Sequence, residues 1–149
     1  MKTAMPDRRW IVDASVLGAA FFEEAHSAAA RTFIRDAADL TAPSLLALEV
    51  ASIAAKKVWK GLCPTEVAAR AVSETPRLVY LVDTLGDLAP VAFRLAAEHR
   101  FSAYDAAYLA LAETGQSSVV TLDEKLKARA DASQLGSLVV LLADALADD

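Results

Sequence analysis

Short runs of β-branched and other apolar residues alternate along this chain with longer Ala- and Leu-rich stretches. In the longer stretches apolar positions recur every three or four residues, the spacing of a helix with one buried side. WIVD, at 10–13, is the first predicted strand, followed by helical ASVLGAAFFEE and a second helix over 26–37. A short strand at 40–42 leads to Pro43, which suits entry to the helix SLLALEVASIAAKKVWK, and Gly61 suits its end. Pro64 and Thr65 open another helix, expected to stop before Pro76 because proline lacks the N–H that a helix interior uses. RLVYLVD is the third strand and 88–99 a helix leading into FSAYDAAYLALAE. SSVVTLD is the fourth strand, EKLKARA a short helix and LVVLL a last strand. The leader 1–8 and the acidic tail 143–149 are expected to be flexible.

The strands are almost continuously apolar, and no Asn-Gly or similar hairpin signal joins them. This predicts a parallel sheet covered on both faces: a three-layer α/β/α domain with a central sheet of four to five strands. The 149 residues suit a single domain, and no linker or repeat divides them. A hydrophobic fraction of 55% is ample for a core. The net charge of -5 speaks against nucleic-acid binding by bulk positive charge, while leaving room for acids gathered at a metal site. Cys63 is the only cysteine, so no intrachain disulfide forms, and two histidines are too few for the usual structural zinc sites. A reducing cytoplasmic location is the default expectation. Lys2, Arg8 and Arg9 precede an apolar run, but Pro6 and Asp13 interrupt the pattern of an export signal. No uncharged apolar run approaches the ~20 residues that span a bilayer.

Four acids stand where surface acids have little reason to be. Asp13 closes the first predicted strand and Asp123 follows the fourth. Glu49 and Asp105 lie early in helices, and Glu49 has Leu45, Leu46 and Ile53 among its neighbours three and four positions away. Local explanations exist for three of them. Ser102 and Asp105 fit a capping box, and Asp13 and Asp123 could each cap the helix that follows. Glu49 has no such explanation. In an open α/β sheet the carboxyl ends of the strands form the binding crevice, which favours one shared cause. Hard divalent cations take carboxylate oxygens and need neither histidine nor thiolate. Since the pattern puts no His, Cys or Lys beside the acids, metal-activated water suits the site better than a protein nucleophile.

These segments resemble the PIN-domain ribonucleases, in particular the VapC-type toxins of VapBC toxin–antitoxin pairs. IVDASVL is similar to the family's first motif, APSLLALEV to its second, FSAYDAAYLALAE to its third and VVTLDEKL to its fourth, in order from Trp10 to Leu142. The resemblance implies a PIN-like parallel sheet between helices. It implies that Asp13, Glu49, Asp105 and Asp123 hold one or two Mg²⁺ or Mn²⁺ ions, with Ser15 and Thr121 supporting them. The implied activity is endonucleolytic cleavage of RNA, commonly tRNA or rRNA, by metal-activated water. The implied partners are a VapB-type antitoxin and a second copy of the chain, with no membrane. Glu124 stands beside the fourth acid, where the family often has a further acidic or Asn residue.

A catalytically silent scaffold that docks a protein partner is the alternative from another class. A haloacid-dehalogenase-like phosphatase would want a second Asp two residues after the first, where this chain has Ser15. Asp83 also ends a strand, but the implied strand order puts it at the sheet edge. Lys56, Lys57, Lys60, Arg94, Arg100, Lys125, Lys127 and Arg129 read first as solvated faces and second as phosphate contacts. Tyr104 and Tyr108 read first as core residues and second as platforms on which a base stacks, and Trp10 and Trp59 as core or interface anchors. The apolar helices VLGAAFF and SLLALEV are candidate surfaces for a partner to cover.

Overall fold

Trp10–Val12 forms β1, and all three residues are buried. β1 pairs in parallel with β2, Leu40–Pro43, on one side and with β4, Ser118–Thr121, on the other. β3, Tyr80–Val82, extends the sheet beyond β2, and β5, Val139–Leu141, extends it beyond β4. The order β3-β2-β1-β4-β5 makes one fully parallel sheet, described by a computed structural model over residues 9–147. A strand with neighbours on both sides and helices on both faces has no wet side, which is why β1 and β4 read as unbroken apolar runs.

The helices between the strands are α1, Ala14–Phe21, α2, Ser27–Asp36, α3, Leu46–Trp59, α4, Thr65–Leu78, α5, Leu85–His99, α6, Ala103–Gly115, and α7, Glu124–Ala132. A short 3-10 turn, Gly136–Leu138, precedes β5. One core joins the central strands to α1, α2 and α3, with Trp10 meeting Phe33 edge-on at 5.9 Å. A second packs α5, α6 and α7 together through Leu95, Phe101, Leu109 and Leu126. The sheet thus lies between helical layers, the α/β/α arrangement expected from the alternation.

Three local expectations are corrected. α4 does not stop before Pro76 but continues to Leu78, which shortens β3 to three residues. Ala68, Ala71 and Thr75 keep the buried stripe of α4 intact up to the proline, and Val79 N–H donates to Thr75 O to close the final turn. One missing N–H near a helix end is tolerated when packing holds the helix. Of the acidic tail 143–149 expected to be loose, 143–147 belongs to helix α8, Leu142–Ala147, with Leu142 and Ala145 buried; the leader 1–8 and residues 148–149 lie outside the described residues. The VLGAAFF segment offers a partner little apolar surface, because Val16, Leu17, Ala19 and Phe22 are spent in the cores and only Ala20 and Phe21 are partly exposed. Trp10 is buried, whereas Trp59 is exposed at the end of α3. No helix among the described residues is long and apolar enough to cross a membrane.

The chain runs outward from β1 through β2 to β3, then returns to the other side of β1 to build β4 and β5. The order therefore reverses between β1 and β4. Crossovers leave in opposite directions there and open a crevice beyond the strands' carboxyl ends.

Candidate functional site

Asp13 and Asp123 flank this crevice. Asp13 follows β1 directly, and its N–H donates to Val120 O at 3.0 Å, which fixes the end of β1 against β4. Its Oδ1 accepts from Ala14 N–H at 2.8 Å, so Asp13 does cap α1. Its Oδ2 accepts from Ser15 Oγ at 2.8 Å and from Thr121 Oγ1 at 2.7 Å. These two hydroxyls lie 3.3 Å apart. Ser15 Oγ also accepts from Leu122 N–H at 3.0 Å, and Thr121 Oγ1 accepts from Asp123 N–H at 2.9 Å. The backbone after β4 is thereby tied to the same pair of hydroxyls. Ser15 and Thr121 act together as a clamp that sets the direction of the Asp13 carboxylate.

Asp123 is the N-cap of α7, where its Oδ1 accepts from Lys125 and Leu126 N–H at 3.0 Å each. Both capping explanations are therefore correct as far as they go. They do not exhaust the carboxylates, since two oxygens offer about four lone-pair sites. For α6 only half the capping box forms: Ser102 Oγ accepts from Asp105 N–H at 3.0 Å.

Glu49, in the first turn of α3, is half-buried and receives a hydrogen bond from Tyr108 Oη at 2.7 Å on its Oε1. Burial first, and then the charges of Asp13 and Asp105, push its carboxyl up to about 7 against the opposing pull of that bond. Asp105 is also raised, first by burial and then by the charges of Asp13 and Asp123, while the Ser102 hydroxyl and Arg129 act the other way. Tyr108 is held neutral by its own burial and by the same acids. Carboxylates within electrostatic reach of one another repel, and the electrostatics link Asp13, Glu49, Asp105 and Asp123 into one group. No ion pair among the described residues relieves any of the four.

As they stand, no three His, Cys, Asp or Glu side chains among the described residues form a ready metal site. The chemistry of the donor set nevertheless suits a hard divalent ion: all oxygen, mutually repelling, half-buried at Asp13, Glu49 and Asp105 with Asp123 exposed, and at a sheet position where ligands bind.

The sequence profile of the PIN domain matches residues 10–132. The chain belongs to the PIN domain family. Ribonuclease VapC3 of Pyrobaculum aerophilum is 33% identical over 118 residues, covering 78% of this chain and 90% of the relative. The crystal structure of PAE2754 from Pyrobaculum aerophilum superposes with a TM-score of 0.69 at 22% identity, covering 94% of this chain and 93% of that one. That likeness supports the fold.

Within this PIN domain, Asp83 directly follows the edge strand β3 and is exposed. Glu124 is exposed in the first turn of α7. Two residues contribute more than sequence reasoning assigned them. Tyr108 is buried as expected, but its hydroxyl is committed to Glu49. The signal was its place three residues after Asp105, on the adjacent turn of the same helix. Arg129 is the cation whose charge bears on Asp105, and nothing in its spacing marks it out from the other basic residues. Tyr104, read as a core residue, is 71% exposed instead.

Proposed function

We propose that this PIN domain is a metal-dependent endoribonuclease, the toxin of a type II toxin–antitoxin pair, acting in the cytoplasm on tRNA or rRNA. The observation that carries the reading is the mutual repulsion among Asp13, Glu49, Asp105 and Asp123 at the point where the strand order reverses. The name of the relative, Ribonuclease VapC3, supports the substrate class and the toxin role. In this reading the four acids hold one or two Mg²⁺ or Mn²⁺ ions. Bound there, the metal supplies activation of water and charge stabilisation at the phosphodiester. Ser15 and Thr121 hold Asp13 Oδ2 in one direction, so the carboxylate meets an ion without reorganising. Tyr108 does the same for Glu49 from the opposite helix. The half-buried setting strengthens each of these interactions relative to bulk water. A VapB-type antitoxin that covers the site and a homodimer complete the proposal.

The capping bonds of Asp13 and Asp123 favour a second reading, a silent scaffold whose acids serve only local structure. One experiment separates the two. The purified protein and its Asp105→Asn variant are titrated with Mn²⁺ by calorimetry and assayed on labelled RNA. The nuclease reading expects Mn²⁺ binding and internal cleavage by the parent, with both lost in a folded variant. Absence of Mn²⁺ binding by the parent, or cleavage that survives Asp105→Asn, defeats it.

A further inference from the structure

Three of the basic side chains near the helical acids are paired with acids. Lys57 meets Glu24 at 2.8 Å, Lys127 meets Asp131 at 3.0 Å, and Arg94 meets Glu113 at 2.6 Å. Arg129 differs. It forms no salt bridge among the described residues, and its charge nevertheless bears on Asp105. The guanidinium carbon lies 4.9 Å from the ring centroid of Phe101, which is buried and so offers a fixed platform. Nη2 donates to the carbonyl oxygen of Arg100. Arg100 ends α5 in the left-handed conformation, with φ of 60°, at the junction from which α6 and Asp105 begin. One N–H is thus spent on orientation, and a guanidinium has five. An exposed arginine fixed by stacking and one backbone bond has given up much of its freedom before any ligand arrives.

An acid-rich rim repels an anionic substrate, and a cation fixed at its margin answers that repulsion. We propose that Arg129 binds an RNA phosphate beside the bond to be cut, using the guanidinium edge left free by Phe101 and Arg100. The proposal rests on the ribonuclease reading above and names a substrate contact within it. Arginine suits this task because its planar fork matches phosphate oxygens in pairs.

The test uses fluorescence anisotropy of a labelled single-stranded RNA on the Asp13→Asn protein, alone and combined with Arg129→Met or Arg129→Lys, across a salt series. Steady-state cleavage by otherwise unaltered Arg129→Met runs in parallel. Loss of a charge-assisted contact should raise Kd by about tenfold in Arg129→Met. The slope of log affinity against log salt should become shallower by about 0.7, the value for one contact on a single strand. Arg129→Lys should recover that slope, and Arg129→Met should raise KM while kcat holds. Unchanged affinity and slope overturn the proposal and leave the nuclease reading intact. A fall in kcat with KM unchanged also overturns it, because Arg129 would then act by positioning Asp105. If neither the Asp13→Asn protein binds RNA nor the parent cleaves it, the ribonuclease reading itself falls.

Discussion

The Tyr108 hydroxyl donates to Glu49 Oε1 at 2.7 Å and so ties α6 to α3 across the acid group. The pair sets two demands against each other. Burial favours a neutral Glu49, whereas a donor aimed at Oε1 favours its ionised form. Removing the donor leaves the burial unopposed. Tyr108→Phe should therefore push the Glu49 carboxyl still higher and weaken Mn²⁺ binding and RNA cleavage by about 10-fold or more, the usual cost of losing a partner that orients a metal ligand. The lost bond should also cost about 1–2 kcal/mol of stability. Calorimetric Mn²⁺ titration and thermal melts of the variant measure both. A variant as active as the parent, with unchanged Mn²⁺ affinity, would make the bond a packing detail.

Glu49 also predicts how stability depends on pH. Its carboxyl lies at about 7 in the fold against an ordinary value of 4.5, so between those values the folded state binds the extra proton. Stability then falls as pH rises across that interval. The contribution is complete below about 4.5 and lost as pH passes about 7. Glu49→Gln cannot ionise and still offers Tyr108 an acceptor. In metal-free buffer, the melting temperature of the parent minus that of Glu49→Gln should fall steadily from about pH 5 to about pH 8. Divalent ions need the ionised acid, so Mn²⁺ affinity of the parent should climb over the same range. A difference in melting temperature that stays flat with pH would show that Glu49 titrates as an ordinary surface acid.

Much of this was legible in the residues because the strongest signals were local. Continuous apolar runs in β1 and β4 reported strands buried on both faces, and Asp13 and Asp123 followed directly from where those strands end. Glu49 was legible through its apolar helical neighbours. Long-range relations were not. That Thr121 clamps Asp13 depends on β4 lying beside β1, and that Tyr108 faces Glu49 depends on how α6 crosses α3. The course of α4 past Pro76 was hidden for a similar reason, since its packing outweighs the local penalty of a proline. The exposed Tyr104 and the buried Tyr108 lie four residues apart on nearly the same face of α6, so periodicity reads them alike. What separates them is that Tyr104 stands in the first turn at the helix end.

Asp123 allows the cap and the proposed metal role to be separated in one residue. Its Oδ1 takes both capping bonds, from Lys125 and Leu126 N–H, while no bond among the described residues falls on Oδ2. Asparagine caps helices about as well as aspartate, so Asp123→Asn should keep metal-free stability within about 0.5 kcal/mol of the parent. Asp123→Ala removes the acceptor and should cost about 1 kcal/mol. A residue that serves only as a cap would leave the Asn variant fully active and the Ala variant slightly weakened. A residue that also holds an ion needs the negative charge, which both substitutions remove. Both variants should therefore lose RNA cleavage and most of the rise in melting temperature on adding Mn²⁺, although only the alanine form is destabilised without metal. Cleavage and metal response preserved in Asp123→Asn would return this acid to local structure and leave Asp13, Glu49 and Asp105 to hold the ion.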